Sequence, residues 1–218
     1  MLVKDCMTRH PIMISPKTPA AEAQKIMTEN NIRHLPVTGK GKRLHGLVTR
    51  QSFLLAPDVL ASLDVWHITR YLSGLTVKEL MIKADEVYTI TPDKTVERSA
   101  KILSDRKIGC LPVVEDGVVV GIITEVDVME AIQRMLAMDV EGVRVTVRMP
   151  DRPGEFAKMS NALGEHAMGV MGIGTYPSPR RDGFFDVVLK IRNVKSDDVE
   201  KALGQVEDQE IIDLRDVV

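Results

Sequence analysis

The sequence is short of aromatic residues and carries no excess of positive charge, and both shortages exclude a general nucleic-acid binder. Four Phe, three Tyr and one Trp among 218 residues are too few to form a surface on which bases stack. The formal net charge of −2 gives no basic footprint for a phosphate backbone. We therefore expect no nucleic-acid partner.

Cysteines and long apolar runs are also scarce. Cys6 and Cys110 form no CxxC pair and the five histidines are dispersed, so neither a zinc site nor a disulfide framework is indicated. No run approaches the ~18 apolar residues of a membrane span. The opening residues also lack an apolar segment of signal-peptide length. We expect a cytoplasmic protein with no membrane contact and no metal.

What the chain does contain is an internal repeat of about 75 residues. Five blocks recur in the same order: Val3–Met7 with Val77–Met81, Ile14–Pro16 with Ile90–Pro92, Lys25–Met27 with Lys101–Leu103, Ile32–Val37 with Ile108–Val113, and Gly46–Thr49 with Gly121–Thr124. Five matches in order are hard to ascribe to chance, so the pattern indicates two copies of one structural unit.

Each copy predicts the order β-α-β-β-α. An extended run (Ile12–Ile14 or Val87–Ile90) precedes a helix with apolar residues three and four positions apart, and two strands then lead to a last helix after Thr49 or Thr124. A unit of this size buries too little apolar surface to be stable alone, so we expect the copies to pack on each other. Residues 57–76, between the copies, predict an extra helix that either covers the pair or binds a partner.

A different unit follows the second copy. Its predicted elements are a strand at Val143–Arg148, a turn at Asp151–Gly154, a helix through Phe156, Met159 and Leu163, strands at Gly169–Tyr176 and Phe184–Ile191, a helix at Ser196–Leu203 and a strand at Ile211–Leu214. The order β-α-β-β-α-β is that of the ferredoxin-like sandwich. The fold class is therefore α/β (α+β), with copy 1 at 1–56, the helical insert at 57–76, copy 2 at 77–138 and the last domain at 139–218.

The two copies resemble CBS domains, whose hallmarks are an h-P-V strand after a helix and a G-h-h-T/S-x-x-D ending. Copy 2 has this ending intact at Gly121–Asp127, whereas Gly46–Ser52 of copy 1 places serine where the acid stands. The last unit resembles an ACT domain, a small regulatory module whose first loop is D-R-P-G, here Asp151–Gly154. The order CBS–CBS–ACT is similar to that of the bacterial acetoin-utilisation accessory proteins, a label that implies a pathway only by name.

The resemblance to CBS pairs implies a pseudo-twofold arrangement with two clefts, each of which commonly takes an adenine nucleotide or an adenosyl compound. One cleft would contain Thr8, Ile12, Arg33, His34, Leu35, Pro36, Thr124 and Asp127. In this cleft the Asp127 carboxylate can accept from ribose hydroxyls, and Arg33 and His34 would supply positive charge for phosphate. Ile12 and Leu35 would give apolar walls for adenine. We expect AMP, ATP or S-adenosylmethionine as the ligand.

The second cleft would contain Thr49, Ser52, Gly109, Cys110 and Pro112. It lacks the carboxylate, and Gly109 and Cys110 bring no charge where Arg33 and His34 stand in the first cleft, so we expect it to bind nucleotide weakly or not at all. In ACT domains an effector, often an amino acid, lies near the D-R-P-G loop at an interface between two such domains. The Asp151 carboxylate would bind the ammonium group of the amino acid, and the Gly154 N–H would donate to the carboxylate of the amino acid. Because both domain types pair with copies of themselves, we expect a homodimer.

Each of these residues also has a structural interpretation. Thr124 and Asp127 are explained as a helix cap, Arg33 and His34 as a solvated face, and Asp151 with Arg152 as a turn. Cys110 is explained as a small buried apolar residue, because no nearby base is identifiable that would make its thiol catalytic.

The sequence gives no positive indication of catalysis. It has no nucleophile–base pair, no phosphate-binding GxxxxGK[ST] loop and no metal cluster. The leading hypothesis is a non-catalytic regulatory sensor whose state is read by an unknown protein target. An interaction scaffold with vestigial clefts and an accessory subunit of a metabolic enzyme remain as alternatives.

Overall fold

The computed structural model of the chain describes residues 1–54 and 74–217. Contacts divide the chain into two compact units, Met1–Met129 and Glu130–Val218. The helix predicted at 57–76 lies almost wholly outside the described residues.

Copy 1 contains the predicted helix followed by two strands. Its elements are α1 (Val3–Cys6), β1 (Thr8–Arg9), α2 (Ala20–Glu29), β2 (His34–Thr38) and β3 (Leu44–Thr49), and a 3₁₀ helix at Arg50–Phe53 follows. The apolar spacing that predicted α2 marks its buried side, since Ala23 and Met27 are both buried. The predicted opening strand is reduced to a single bridge, in which Ile14 pairs in parallel with Val37.

Copy 2 repeats this arrangement. Its elements are α3 (Val77–Leu80), β4 (Ile82–Lys83), α4 (Val96–Arg106), β5 (Cys110–Glu115), β6 (Val118–Thr124) and α5 (Glu125–Met135). The turn between β5 and β6 contains Asp116 at φ 51° and Gly117 at φ 79°. Two positive φ values define a type I′ turn, which matches the twist of a hairpin. The predicted opening strand is again one bridge, from Ile90 to Val113.

The two copies exchange their opening segments. β1 of copy 1 pairs antiparallel with β6 of copy 2, and β4 of copy 2 pairs antiparallel with β3 of copy 1, which gives the sheets β1-β6-β5 and β2-β3-β4. The backbone hydrogen bonds repeat this symmetry, because Val3 N donates to Lys94 O and Val77 N donates to Thr18 O, both at 2.8 Å. The copies are therefore related by a pseudo-twofold axis, and neither sheet is complete without the other copy.

Two glycines at equivalent positions allow the exchanged strands to approach closely. A Cβ on Gly46 in β3 would collide with the carbonyl oxygen of Ile82. A Cβ on Gly121 in β6 would lie 3.1 Å from the carbonyl oxygen of Thr8. The G-h-h-T motif thus begins with glycine because a strand of the other copy lies against it.

The exchange also contributes to the hydrophobic core. The buried cluster of copy 1 contains Ile14, Ala20, Ala23, Met27, Leu35, Val37, Val48 and Phe53, together with Val77 from α3 of copy 2. A smaller cluster of Leu47, Cys110 and Ile122 joins the two sheets. Since each buried aliphatic side chain stabilises the fold by about 1.5–3 kcal/mol, each copy stabilises the other.

The C-terminal unit has the predicted order of elements. They are β7 (Gly142–Pro150), α6 (Glu155–Glu165), β8 (Gly169–Pro177), β9 (Phe184–Arg192), α7 (Ser196–Leu203) and β10 (Glu210–Val217). The antiparallel sheet runs β10-β7-β9-β8, which is the strand order of a ferredoxin-like sandwich. The alternation that predicted β7 reflects burial, because Val143, Val145 and Val147 pack in one core with Leu163 of α6 and Val199 of α7.

The segment after α5 packs on the opposite face of this sheet. Gly172 of β8 pairs with Lys190 of β9, and Lys190 is next to the core residue Leu189. Because neighbouring residues of a strand point to opposite faces, Gly172 and Lys190 lie on the face away from that core. A Cβ on Gly172 would collide with the backbone of Leu136, and a Cβ on Gly174 would lie 3.2 Å from its side chain. This packing explains why the division between the two units falls inside α5 and not between residues 138 and 139.

Candidate functional site

The last helix of copy 2 begins with a capping box formed by Thr124 and Asp127. The backbone N–H and the hydroxyl of Thr124 both donate to Asp127 Oδ2 at 2.7 Å, and the backbone N–H of Asp127 donates to Thr124 Oγ1 at 3.3 Å. The helix-cap interpretation is therefore correct for one oxygen of this carboxylate. The other oxygen, Oδ1, has no hydrogen-bond partner among the described residues.

Copy 1 forms the equivalent cap with serine. The backbone N–H of Thr49 donates to Ser52 Oγ at 3.1 Å, and the two hydroxyl oxygens lie 3.4 Å apart. A hydroxyl is thus sufficient to close this capping box. The carboxylate of Asp127 supplies a charge and a second oxygen that the cap does not require.

A cleft of about 890 Å³ opens beside the cap of copy 2, and we name it cleft 1. Six of the eight residues predicted for nucleotide binding line it, namely Thr8, Ile12, Arg33, His34, Thr124 and Asp127. The strand exchange brings them together, because β1 pairs Thr8 with Ile122 and so places the start of copy 1 beside the end of β6. Whether these six residues bind a nucleotide stays a prediction.

The prediction that the Leu35 and Pro36 side chains line this cleft is wrong. Leu35 is 0% exposed within the core of copy 1, and Pro36 is also buried. Both faces of β2 are covered, so its alternation does not direct one face to the cleft. Ile12, the other predicted wall residue, does line the cleft, and the further apolar lining includes Ile32, Ile122 and Val126.

The positive charge of cleft 1 comes from two arginines. Arg33 and Arg50 are exposed and line the cleft, and neither forms an ion pair or a side-chain hydrogen bond within residues 1–54 and 74–217. His34 contributes differently. Burial, with the charge of Arg33 as a second cause, lowers the pKa of His34 below its usual 6.5, so its imidazole is neutral at pH 7. His34 therefore offers hydrogen bonding to a ligand and not the positive charge that the sequence predicted.

A second cleft of about 670 Å³, cleft 2, occupies the equivalent place beside the other cap. Of its predicted residues, Thr49, Gly109 and Cys110 line it, whereas Ser52 and Pro112 do not. Ser52 is engaged in the cap and Pro112 is buried in β5. Burial raises the pKa of the Cys110 thiol to about 12, so the thiol stays protonated, which agrees with its interpretation as a buried apolar residue.

Gly109 and Cys110 bring no charge to cleft 2, but charged side chains from other positions line it. Its lining includes Lys107, Glu86 and Glu125, the aromatic ring of Tyr88, and three side chains that also line cleft 1, namely Arg33, His34 and Arg50. The shared side chains form the wall between the clefts. The absence of side-chain atoms at Gly109 makes room for the His34 ring, because a Cβ there would lie 3.0 Å from His34 Nε2.

Sequence reasoning missed Arg50 and Glu125, which directly follow Thr49 and Thr124. The motif leaves this position unspecified, so no role was assigned to it. The repeat alignment was the one signal that could have found them, since it places opposite charges at equivalent positions of the two copies. The backbone N–H of each also donates to the residue just before the hairpin's first strand, because Arg50 N donates to Arg33 O at 2.9 Å and Glu125 N to Gly109 O at 3.2 Å.

The D-R-P-G loop joins β7 to α6. Gly154 immediately precedes the helix at φ 95°, and Asp151 is exposed. Arg152 Nε donates to Glu155 Oε1 at 2.7 Å, and its terminal nitrogen donates to Asp208 Oδ2 at 2.6 Å. The interpretation as a structural turn therefore holds for Arg152. The effector role of Asp151 and Gly154 stays a prediction.

Glu155, the first residue of α6, is only 2% exposed although it is ionisable. It accepts hydrogen bonds from Arg152, from Lys158 Nζ at 3.1 Å and from Gln209 Nε2 at 3.2 Å. These bonds, with that of Arg152 the largest, lower the pKa of Glu155 to about 2. The carboxylate thus ties the loop to the segment before β10.

In the part of the chain that the structure describes, no three His, Cys, Asp or Glu side chains converge into a metal site. No helix in these same ranges combines the length and the apolar character needed to cross a membrane.

The fold and the clefts define a class of protein, in which paired repeats exchange their opening segments and enclose two clefts. The family model of the CBS domain matches residues 3–58 and 77–134, which is more than half of the chain. The chain therefore belongs to the CBS domain family.

Two solved structures and one curated protein illustrate the similarity. A protein named as the acetoin utilization protein AcuB from Vibrio cholerae is 29% identical with a TM-score of 0.52, over 64% of this chain and 95% of that one. CBSX2 from Arabidopsis thaliana, solved in complex with AMP, is 26% identical with a TM-score of 0.50, over 60% of this chain and 94% of that one. Protein MJ1225 of Methanocaldococcus jannaschii is 32% identical over 59% of this chain and 46% of its own length.

The first curated relatives are all longer than the matched region. The chain spans between 15% and 46% of their length. The similarity therefore concerns the CBS pair and not the whole of those proteins.

Proposed function

We propose that the chain is a non-catalytic regulatory sensor that binds an adenine nucleotide in cleft 1. The observation that carries the proposal is the Asp127 carboxylate, which lines the cleft with one oxygen fixed by Thr124 and the other without a partner among the described residues. A carboxylate held in this way is preorganised to accept hydrogen bonds from ribose hydroxyls. Charge-assisted bonds of this kind stabilise by roughly 1.5–3 kcal/mol each.

The rest of the cleft suits the other parts of a nucleotide. Arg33 and Arg50 supply positive charge for phosphate. Ile12, Ile32 and Val126 offer apolar surface to adenine. CBS-domain pairs are typically regulatory, and the AMP complex of CBSX2, whose fold is similar, supports this ligand class.

For the C-terminal unit we propose an ACT domain that takes an amino acid beside Asp151 and Gly154. The strand order β10-β7-β9-β8 and the D-R-P-G loop support this proposal. The exposed Asp151 carboxylate suits an ammonium group, and the backbone N–H of Gly154 at the start of α6 suits a carboxylate. The protein would act as a homodimer in the cytoplasm, and a protein target would read its state.

Ligand binding regulates only if two states of the protein bind the ligand with different affinity. At a concentration of 100 times its Kd, a ligand stabilises the binding state by about 2.7 kcal/mol. That shift is large enough to change the population of a contact with another protein.

A thermal-shift screen with AMP, ATP, S-adenosylmethionine and the common amino acids tests the proposal. AMP at 100 times its Kd should raise the melting temperature by about 5–10 °C. The control is Gln51→Trp, because exposed Gln51 lines cleft 2 only and a bulky ring there should leave the AMP response intact. Loss of the response in Gln51→Trp would place the ligand in cleft 2, and silence with every ligand would favour an interaction scaffold.

A further inference from the structure

The wall between the two clefts is built unequally by the two copies. Arg33, His34 and Arg50 all come from copy 1 and line both clefts. In the repeat alignment the counterpart of Arg33 is Gly109 and the counterpart of Arg50 is Glu125. The centre of the module therefore has two arginines where a symmetric pair would have four.

The remaining charges of cleft 2 do not replace these arginines. Lys107 is the one cation that lines cleft 2 alone among the described residues, and the acids Glu86 and Glu125 line the same cleft. Because these two carboxylates offset the charge of Lys107, an anion in cleft 2 also depends on Arg33 and Arg50. Neither arginine is neutralised by a carboxylate within the described ranges, so both are available to whichever ligand binds first.

From this arrangement we infer that the clefts are antagonistically coupled, so that a phosphorylated ligand in cleft 1 weakens the binding of a second phosphorylated ligand in cleft 2. The inference rests on the proposed function, because it takes the arginines to be phosphate ligands. One guanidinium oriented toward the phosphate of cleft 1 cannot give the same hydrogen bonds to a second phosphate. Cleft 2 lacks a counterpart of the Asp127 carboxylate, because Ser52 does not line it, but its binding of phosphate is further suppressed by the ligand in cleft 1.

The experiment compares two variants that each place a bulky neutral side chain in one cleft to obstruct it, and we call them the filled variants. Val126 and Gln51 are equivalent in the repeat, both are exposed, and each lines one cleft only. Calorimetric titration with AMP is performed on the full-length wild type, on Val126→Trp and on Gln51→Trp. In Val126→Trp, AMP should bind cleft 2 about tenfold to a hundredfold more tightly than the second equivalent binds to the wild type, as expected for regaining one charge-assisted bond.

Two further measurements keep the inference independent of the bulky substitutions. Arg50→Gln, added to each filled variant, should weaken AMP in both, because the arginine serves both clefts. Adenosine titrated into the wild type should show a smaller difference between its two sites than AMP does, because it carries no phosphate.

The outcomes separate this inference from the proposed function. If AMP binds to no form of the protein, the proposed function fails and the inference fails with it. If AMP binds cleft 1 but cleft 2 has the same affinity in the wild type and in Val126→Trp, the sensor stands and the coupling is refuted. An effect of Arg50→Gln confined to one filled variant would also refute the coupling.

Discussion

Substitutions at Asp127 can separate its role in the helix cap from its role in binding, because copy 1 shows the same cap made with serine. Asp127→Ala removes both the acceptor for the Thr124 N–H and the carboxylate that lines cleft 1. Asp127→Ser reproduces the pair Thr49–Ser52, in which a hydroxyl accepts from the backbone N–H at 3.1 Å. The two variants therefore differ in whether the cap is kept, and both lack the carboxylate.

The magnitudes follow from these contacts. Loss of a helix cap costs about 1 kcal/mol, which lowers the melting temperature of a chain of this size by about 2–4 °C. Asp127→Ala should show this loss, whereas Asp127→Ser should unfold within about 0.5 kcal/mol of the wild type. Both should bind AMP about tenfold to a hundredfold more weakly, because the charge-assisted bond to ribose is absent in each.

Urea unfolding and calorimetric titration on the same preparations measure the two effects. The two variants should therefore differ in stability but not in AMP affinity. Wild-type affinity in Asp127→Ser would show that the carboxylate does not contact the ligand. Equal stability of the two variants would show that the cap contributes nothing.

Two further predictions concern the C-terminal unit. The pKa of Glu155 lies at about 2 and not at 4.5, chiefly because Arg152 donates to it, so its carboxylate stabilises the fold fully above about pH 4.5 and ceases to do so as the pH falls toward 2. Unfolding followed over this pH range should therefore show a smaller loss of stability in Glu155→Gln than in the wild type, and an equal loss would contradict the assignment. Gly172→Val should destabilise the unit by about 1–3 kcal/mol, because its side chain would overlap the Leu136 backbone. Gly164→Ala in α6, with open space around it, should instead stabilise the protein by about 0.5–1 kcal/mol, and similar effects of the two substitutions would refute the packing argument.

The elements that have a strong local pattern could be predicted from the sequence. The spacing of Ala23 and Met27 predicted α2, and the alternation of Val143, Val145 and Val147 predicted β7, because in each case burial follows the period of the element. The internal repeat likewise predicted that two similar units occur side by side. These features depend on residues close together in the chain.

Local patterns could not predict the exchange of opening segments, although the family resemblance placed Thr8 of copy 1 in one cleft with Thr124 of copy 2. The strands at Thr8–Arg9 and Ile82–Lys83 have two residues each, too few for any periodicity, and their partners lie far away in the sequence. The same reason explains the error at Leu35, since alternation in β2 does not reveal that both of its faces are covered.

The distribution of charge between the clefts was missed for a related reason. Arg33 was assigned to one cleft from its place in the motif, yet it lines both. Only the relative placement of the copies shows that a side chain on a dividing wall serves two sites.

The exchange of strands between the repeats determines how early this protein can fold during its synthesis. Copy 1 lacks a core residue and a strand until Val77 and Ile82–Lys83 have left the ribosome, and β1 waits for β6 to be made. Folding must then proceed largely after both repeats have been translated, because its decisive contacts span most of the N-terminal unit. A single repeat produced alone would leave a sheet edge uncovered. The opening segment of a second identical molecule would then be able to pair with that edge.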